Sequence, residues 1–311
     1  MARVLVTGAS GFIGRHVLEQ LTGAGDEVVA VSSGPVADPA LAALPGVHWR
    51  QADLLDPGVP AALCDRERPT HVVHLAWFAT PGATWTSPEN VRWVEASLRL
   101  LRAFGVAGGQ RAVFAGTCAE YDWSYGLCSE LRTPTEPASL YGAAKDGLRR
   151  VALAAAADAG IDLAWARPFF LYGRHEDPRR LVPAIALPLL RGHEAPTSEG
   201  SQLRDYLHVA DAAAALAALL HSGVSGPVNV GSGVPVRVRE IVARIGQRTG
   251  RPDLIRYGAL GDGAGGAPVV LADTGRLRDE VGWRPRIGLD EGLDDVVAFW
   301  RSTGGGAESR D

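Results

Sequence analysis

Several features are scarce in this 311-residue sequence, and each scarcity removes a class of function. Net charge is one: 31 Lys and Arg stand against 35 Asp and Glu, a balance of −4 at pH 7. That leaves no cationic footprint for nucleic acid or for an anionic membrane, although an anionic small ligand can still bind through a local site. Cysteine is another. Cys64, Cys118 and Cys128 show neither CxxC nor Cys/His metal spacing, so they read as reduced thiols of a cytoplasmic protein, with no metal site and no disulfide framework. Long apolar runs are missing too. The longest, around Val209–Leu220, is alanine-rich, carries Asp211 and is too short to span a bilayer. No internal repeat is visible. The N-terminal MARVLVTG enters a strand pattern at once, so no secretory leader is expected.

What is present alternates. Short β-branched runs (RVLVTG, EVVAVSS, VHWRQAD, THVVHLA, RAVFAGT, DLAWARP) are separated by helical patterns at Phe12–Leu21, Glu89–Phe104 and Leu140–Ala159. Strands alternating with helices imply parallel pairing with helices on both faces. Continuous apolar strands such as VVHLA fit a sheet buried on both sides. From about Pro168 the pattern loosens into charged, loop-rich stretches. Helices at Val209–His221 and Val236–Thr249 and a strand PVNVGSG follow. The glycine-rich GALGDGAGGAP is expected to be mobile, and the tail 304–311 disordered.

Gly8, Gly11 and Gly14 in TGASGFIGRH lie between the first strand and the first helix. A turn there lets the backbone approach a pyrophosphate, and the helix N-terminus offers it free N–H groups. The spacing is GxxGxxG, not GxGxxG. An NAD site usually places an acid at the end of the second strand, but Ser32 and Ser33 stand there. Serines tolerate a 2′-phosphate that a carboxylate would repel, and Arg15 or Arg50 offers positive charge, so NADP(H) is favoured over NAD. The alternative is that the serines merely turn the chain. Asp53, beside Leu54 after the third strand, suits an adenine amino group or caps a helix starting near Pro57.

YGAAK places Tyr141 and Lys145 four apart in a helical stretch, on one face. A tyrosine ordinarily titrates at about 10, and a neighbouring ammonium favours its phenolate. With six tyrosines and few lysines in the chain, coincidence is a weak explanation, although a surface pair remains the plain alternative.

Taken together these motifs resemble the extended short-chain dehydrogenase/reductase family of NAD(P)-dependent nucleotide-sugar epimerases, dehydratases and reductases. TGASGFIG matches its phosphate loop, HLAW (His74–Trp77) its fourth-strand motif and YGAAK its active-site helix. RDYLHVAD (Arg204–Asp211), VNVGSG (Val228–Gly233) and VGWRPRIGLDEGL (Val281–Leu293) match its later segments in the family order. The resemblance implies a Rossmann-type doubly wound parallel sheet, an α/β fold, with a smaller C-terminal substrate-binding lobe. The expected division is 1–167 plus 207–242 for the dinucleotide and 168–206 plus 243–303 for the substrate. It assigns Thr117, Tyr141 and Lys145 to catalysis. The cofactor falls to Gly8, Ser10, Gly11, Phe12, Ile13, Gly14, Ser32, Ser33, Asp53, Leu54, Leu75, Ala76 and Pro168 together with Tyr141 and Lys145. The substrate falls to Trp77, Thr117, Cys118, Glu120, Phe170 and Arg204.

Departures from the family narrow the reaction. Thr117-Cys118-Ala119 lacks the acid pair that 4,6-dehydratases carry after the threonine, and Glu120 comes one position late, leaving it a pocket-lining role. Cys118 is one place early for a 3,5-epimerase cysteine, so it reads as a bystander. His175 reads as a loop residue. Phe170 replaces the asparagine of RxxNxYG, as in deoxysugar 4-ketoreductases. Arg204 suits the phosphates of a nucleotide sugar, or an ion pair with Asp205 or Glu199. Trp77, Trp85, Trp93 and Trp123 fall near the strand ends where ligands bind, as an apolar substrate wall or as core. The expectation is NADPH-dependent reduction of a nucleotide-linked 4-keto-6-deoxyhexose, with an NAD-dependent 4-epimerase as the alternative and a non-catalytic dinucleotide sensor third. A homodimer through Glu89–Phe104 and Leu140–Ala159 is expected from the family.

Overall fold

The early strands carry apolar side chains on both faces, which requires a sheet covered on each side. In the first strand (Arg3–Thr7) Val4 and Val6 enter one core and Leu5 the other. In the second (Glu27–Ser32) Val28 and Ala30 oppose Val29 and Val31, and in the sixth (Asp162–Pro168) Ala164 and Ala166 oppose Leu163 and Trp165. The structure is a computed structural model describing residues 2–261 and 266–303. It joins these strands with Val47–Gln51, His71–His74, Arg111–Ala115 and Gly226–Val230 in one seven-stranded sheet. The order is 226–230, 162–168, 111–115, 71–74, 3–7, 27–32, 47–51, and every pairing is parallel. Chain order reverses beside the first strand, so the loops leaving the first and fourth strands open a crevice there.

Helices Gly14–Gly23 and Val209–His221 cover one face. Val59–Glu67, Glu89–Val106 and Leu140–Asp158 cover the other. Inside the sheet the Thr7 hydroxyl and His74 Nδ1 are 2.7 Å apart, and His74 Nε2 lies 2.8 Å from the Ser97 hydroxyl. Because Ser97 donates to the Trp93 carbonyl, it accepts from Nε2–H, and Nδ1 accepts from Thr7. Burial holds His74 neutral, with its pKa down at about 3.

Beyond Pro168 a second core forms; its helix Val238–Thr249 matches the helix expected at Val236–Thr249, whereas its first helix falls where the sequence reads as loop. Helices Leu181–Leu190, Val238–Thr249 and Leu289–Ser302 bury Ile185, Leu189, Ile241, Ile245, Leu293 and Val296 together. Leu181–Leu190 escapes periodicity because it is apolar almost throughout and contains Pro183 and Pro188. The expected lobe boundary at residue 242 falls inside a helix: Val238, Ile241 and Val242 all pack in this second core. A sheet of 235–237, 203–208, 269–272 and 127–128, with 170–172 beside 203–208, bridges towards the crevice. Two buried aspartates stitch this part together. Asp205 accepts from the N–H groups of Ser232 (2.6 Å) and Gly233 (2.8 Å), and Asp211 from those of Arg286 (2.9 Å) and Ile287 (2.8 Å). The tail 304–311 and positions 262–265 of the glycine-rich loop lie outside the described residues. Among the described residues no helix is long and apolar enough to cross a membrane.

Candidate active site

The phosphate loop is shaped by close approach. Gly8 has φ +67°, and a Cβ there would sit 2.8 Å from the Ala76 nitrogen; one at Gly14 would sit 2.1 Å from the Gly8 oxygen. Gly11 N–H closes the turn on the Gly8 carbonyl at 3.0 Å. No side chain caps the helix that follows; Arg15 N–H is taken by the Gly11 carbonyl at 3.2 Å, and the positive end of the helix faces the turn. Ser10, Phe12, Ile13, Leu75 and Ala76 are half-buried around this turn. These residues fit the pyrophosphate of a dinucleotide.

At the end of the second strand the plain reading of the serines holds in part. Ser32 is buried and donates to the Gly34 carbonyl at 2.6 Å, turning the chain, while Ser33 is exposed. The positive charge expected nearby is already matched: Arg15 pairs with Asp38 at 3.1 Å and Arg50 with Glu67 at 2.6 Å. Asp53 is exposed and accepts from the Leu55 N–H at 3.0 Å. The next helix begins only at Val59, so Asp53 is not its cap; Leu54 beside it is buried.

Helix Leu140–Asp158 starts on Ser139, whose hydroxyl accepts from Gly142 N–H at 3.1 Å, and its first turns present Tyr141 and Lys145. Lys145 is the only lysine in the sequence and is 4 % exposed. Its Nζ donates to the Ala115 carbonyl at 2.7 Å and lies 3.6 Å from the centre of the Trp77 ring. Burial brings its pKa down to about 7, with Glu120 acting the other way. Tyr141 is half-buried between Trp77 and Trp85, with ring centres 6.4 and 5.8 Å away. Its phenol does not follow the expected lowering by an ammonium. Burial pushes it up to about 12, and the opposing pull comes first from the Thr117 hydroxyl. The reason lies in the lysine, whose Nζ rests on the Ala115 carbonyl and the Trp77 ring. Thr117 is 8 % exposed and extended (φ −163°, ψ 151°) at the start of a short turn, Cys118–Glu120.

Glu120 does not line the cleft. It is fully buried, and its carboxylate accepts from Thr117 N–H (2.9 Å), the Trp165 indole (2.9 Å) and Arg167 Nε (2.7 Å). Arg167 also donates to the Tyr121 hydroxyl at 2.7 Å, which donates to Asn229 at 2.8 Å. Thr117 is thus anchored by a buried ionic network in which Glu120 takes a structural place instead of lining the pocket, and whose other members Trp165 and Arg167 the sequence did not single out. Cys118 packs among Tyr121, Cys128, Phe169 and Val270, and burial pushes its thiol up. His175 (φ +65°) rests against Phe299, ring centres 4.6 Å apart.

Trp85, Trp123, Phe170 and Tyr206 follow one another at 6.3, 6.4 and 5.8 Å between ring centres, a wall that starts at Tyr141. Pro168, half-buried, ends the sixth strand just before it. Trp123 is held by its indole donating to the Cys118 carbonyl at 2.7 Å. Arg204 extends over Phe170, 5.4 Å from the ring centre, and is 8 % exposed. Neither expected ion pair forms: Asp205 is spent on Ser232 and Gly233, Glu199 pairs with Arg239, and Arg204 donates only to the Leu203 carbonyl among the described residues.

Residues 4–231 match the NAD dependent epimerase/dehydratase family. The chain belongs to that family. It is 31 % identical to a UDP-glucose 4-epimerase of Azospirillum brasilense, covering 96 % of this chain and 91 % of the relative. It superposes on MoeE5 in complex with UDP-glucuronic acid and NAD with TM-score 0.84 at 33 % identity, covering 97 % of this chain and 99 % of the other. A double mutant of DesIV, a dTDP-glucose 4,6-dehydratase from Streptomyces venezuelae with NAD bound, gives TM-score 0.85 at 28 % identity over 97 % and 98 % of the two chains. Both structures share the parallel Rossmann-type sheet. In this chain Thr117, just past the fifth strand, reaches the Tyr141 phenol, and Lys145 follows one turn later on the same helix.

Proposed function

We propose that the protein is an NAD-dependent nucleotide-sugar 4-epimerase. The observation that supports this most is that, among the described residues, the cleft offers one proton-exchanging set. Thr117, Tyr141 and Lys145 meet there, while Glu120 is buried on Arg167 and Cys118 is buried with a raised pKa. Elimination of water needs a further acid and base, which Cys118 and Ala119 do not supply. Oxidation and re-reduction at one carbon needs only one such set. NAD, when bound, takes up a hydride and returns it. Tyr141 removes the proton of the sugar hydroxyl during oxidation and gives it back to the keto oxygen after the sugar presents its other face. Thr117 donates to the oxygen on which negative charge develops. Lys145, one turn further along the same helix, would bind the ribose of the bound dinucleotide. Arg204, a nearly buried guanidinium without a carboxylate partner among the described residues, suits the diphosphate of the substrate.

The reading departs from the NADPH-dependent ketoreductase expected from sequence. Arg15 and Arg50 are engaged by Asp38 and Glu67, so neither is left to attract a 2′-phosphate, and the similar structures named above contain NAD. Reduction remains the second reading because no acid stands at Ser32 or Ser33. The deciding experiment identifies the dinucleotide released from purified protein. It then follows UDP-glucose, UDP-glucuronic acid and dTDP-glucose by NMR without added cofactor. Bound NAD and appearance of the C4 epimer are expected. Consumption of added NADPH by a 4-keto sugar, with no epimerisation, would replace this reading by the reductase, and binding without any turnover by the sensor. A homodimer through helices Glu89–Val106 and Leu140–Asp158 would cover Val91 and Val151, both about half exposed; light scattering should report a dimer that Val151→Glu splits.

A further inference from the structure

We infer that Trp77 is a positioning residue of the proton-transfer set: its indole face carries the Lys145 ammonium, holding it in place and in its charged form. The inference rests on the Tyr141–Lys145 pair of the proposed reaction, but its deciding titration needs no sugar substrate.

An ammonium that is 4 % exposed has lost its water and must be held charged by something else. The described residues give Lys145 one hydrogen-bond acceptor, the Ala115 carbonyl at 2.7 Å, and no ion pair. The ionisable groups around it are all committed elsewhere. Glu120, on the turn after the fifth strand, spends its oxygens on Thr117, Trp165 and Arg167, with Arg149 more distant at 3.6 Å. His74, on the fourth strand, is neutral between Thr7 and Ser97. On the lysine's own helix, Tyr141 is a protonated phenol and Asp146 is paired with Arg149 and Arg150. What remains in contact is the Trp77 ring, its centre 3.6 Å from Nζ. That is well inside the roughly 6 Å over which a ring quadrupole attracts a cation, and tryptophan is the best such ring.

The ring is fixed from behind. Its Nε1–H donates to Asn90 Oδ1 at 2.9 Å, and Asn90, fully buried, donates its amide to the carbonyls of Thr84 (2.8 Å) and Ser87 (2.9 Å). The start of helix Glu89–Val106 therefore sets the plane on which the lysine rests. An aromatic face suits this place better than a carboxylate would. It favours the ammonium without putting a second negative charge beside Tyr141 when the phenol ionises. With Lys145 near 7, a shift of one unit decides whether it is charged at neutral pH.

The single lysine makes the test direct. Protein grown on [ε-13C]lysine carries one labelled residue, and its NMR shift titrates with Lys145 alone. Trp77→Leu should move the midpoint down by about one pH unit. Trp77→Phe, which keeps a weaker ring face, should fall between the two. The corresponding limb of the pH–rate profile should move the same way. A Trp77→Leu midpoint within about 0.2 unit of wild type, or a Trp77→Phe midpoint no higher than that of Trp77→Leu, would mean the ring only packs. If Trp77→Leu does not fold, wild-type sequence grown on 5-fluorotryptophan decides. A lowered midpoint supports the inference, and an unchanged one overturns it. Failure of the epimerase assay leaves this titration unaffected, so the two readings fall separately.

Discussion

Replacing Glu120 with glutamine keeps the side chain's shape and removes its charge, and with it the ion pairs behind Thr117: the close one with Arg167 and a looser one with Arg149 at 3.6 Å, whose guanidinium stays paired with Asp146. Glu120 is fully buried and Arg167 is 1 % exposed, with Nε 2.7 Å from the carboxylate. The new amide oxygen can still accept from the Thr117 and Trp165 N–H groups, both at 2.9 Å in the native arrangement. Its NH2 then faces Arg167 Nε, donor against donor, and the buried guanidinium keeps only the Tyr121 hydroxyl. Stranding one member of a buried pair costs about 3–5 kcal/mol. At about 2–4 °C per kcal/mol for a chain of this size, the melting temperature should fall by roughly 6–20 °C. The assay is thermal unfolding together with urea titration at unchanged slope. Glu120→Leu combined with Arg167→Met removes both charges and should recover much of the loss. Turnover should stay low, because the Thr117 N–H has lost its acceptor. A loss below about 1 kcal/mol in Glu120→Gln would put this pair on the level of a surface contact and refute the reasoning.

Tyr141→Phe should lower turnover by about 10²–10⁴ while dinucleotide affinity, measured by fluorescence titration, stays near wild type. Lys145→Met should abolish turnover yet raise the melting temperature at pH 6. The folded pKa of about 7 lies below the ordinary 10.5, so the folded chain binds fewer protons between those values and stability rises with pH through that window. The cost of the buried ammonium is therefore full below pH 7, and the gain in Lys145→Met should shrink by pH 10. His74 is held near 3 against an ordinary 6.5. The unfolded chain therefore takes up the extra proton as pH falls through that window. Stability should drop there by up to about 1.4 kcal/mol per pH unit, a slope that urea titrations of His74→Gln should lack.

The parallel-sheet half of the fold was legible because its signal is local. Alternation along Val4–Val6 or Val28–Val31 marks strands buried on both faces, and a four-residue spacing puts Tyr141 and Lys145 on one helix face. The second core was legible only in its helix at Val238–Thr249. Leu181–Leu190 is too uniformly apolar to show a period, and the residues it packs against come from Val238–Thr249 and Leu289–Ser302. In the site, reactive residue types could be named, but not their orientation. Glu120 stood out as a carboxylate near the threonine, and only its partner Arg167, 47 residues away, turns it from the cleft. Trp77 stood out as a ring near a strand end, and nothing in its spacing pointed to Lys145 beneath it. The aspartates of RDYLHVAD were likewise visible as a motif, while their work on Ser232, Gly233, Arg286 and Ile287 depends on chain closure.

The cofactor question turns on the same difference between residue type and pairing. Serines at 32 and 33 establish only that nothing there repels a 2′-phosphate. Attraction needs a cation whose charge is unspent, and a guanidinium already matched by a carboxylate contributes little net field to a second anion. Arg50 is matched by Glu67, which is itself almost inaccessible and held near pKa 2 by Arg50 and Arg66. Arg15 is matched by Asp38, which also caps the short helix Pro39–Ala42. Freeing one of them should therefore move preference in a definite direction. Asp38→Asn leaves Arg15 without its carboxylate while its amide oxygen can still cap the helix. That variant should gain affinity for NADP relative to NAD, by about tenfold if about 1.4 kcal/mol of phosphate interaction is released. An unchanged NADP-to-NAD ratio in a competitive binding titration would show that Arg15 does not reach the adenosine ribose at all.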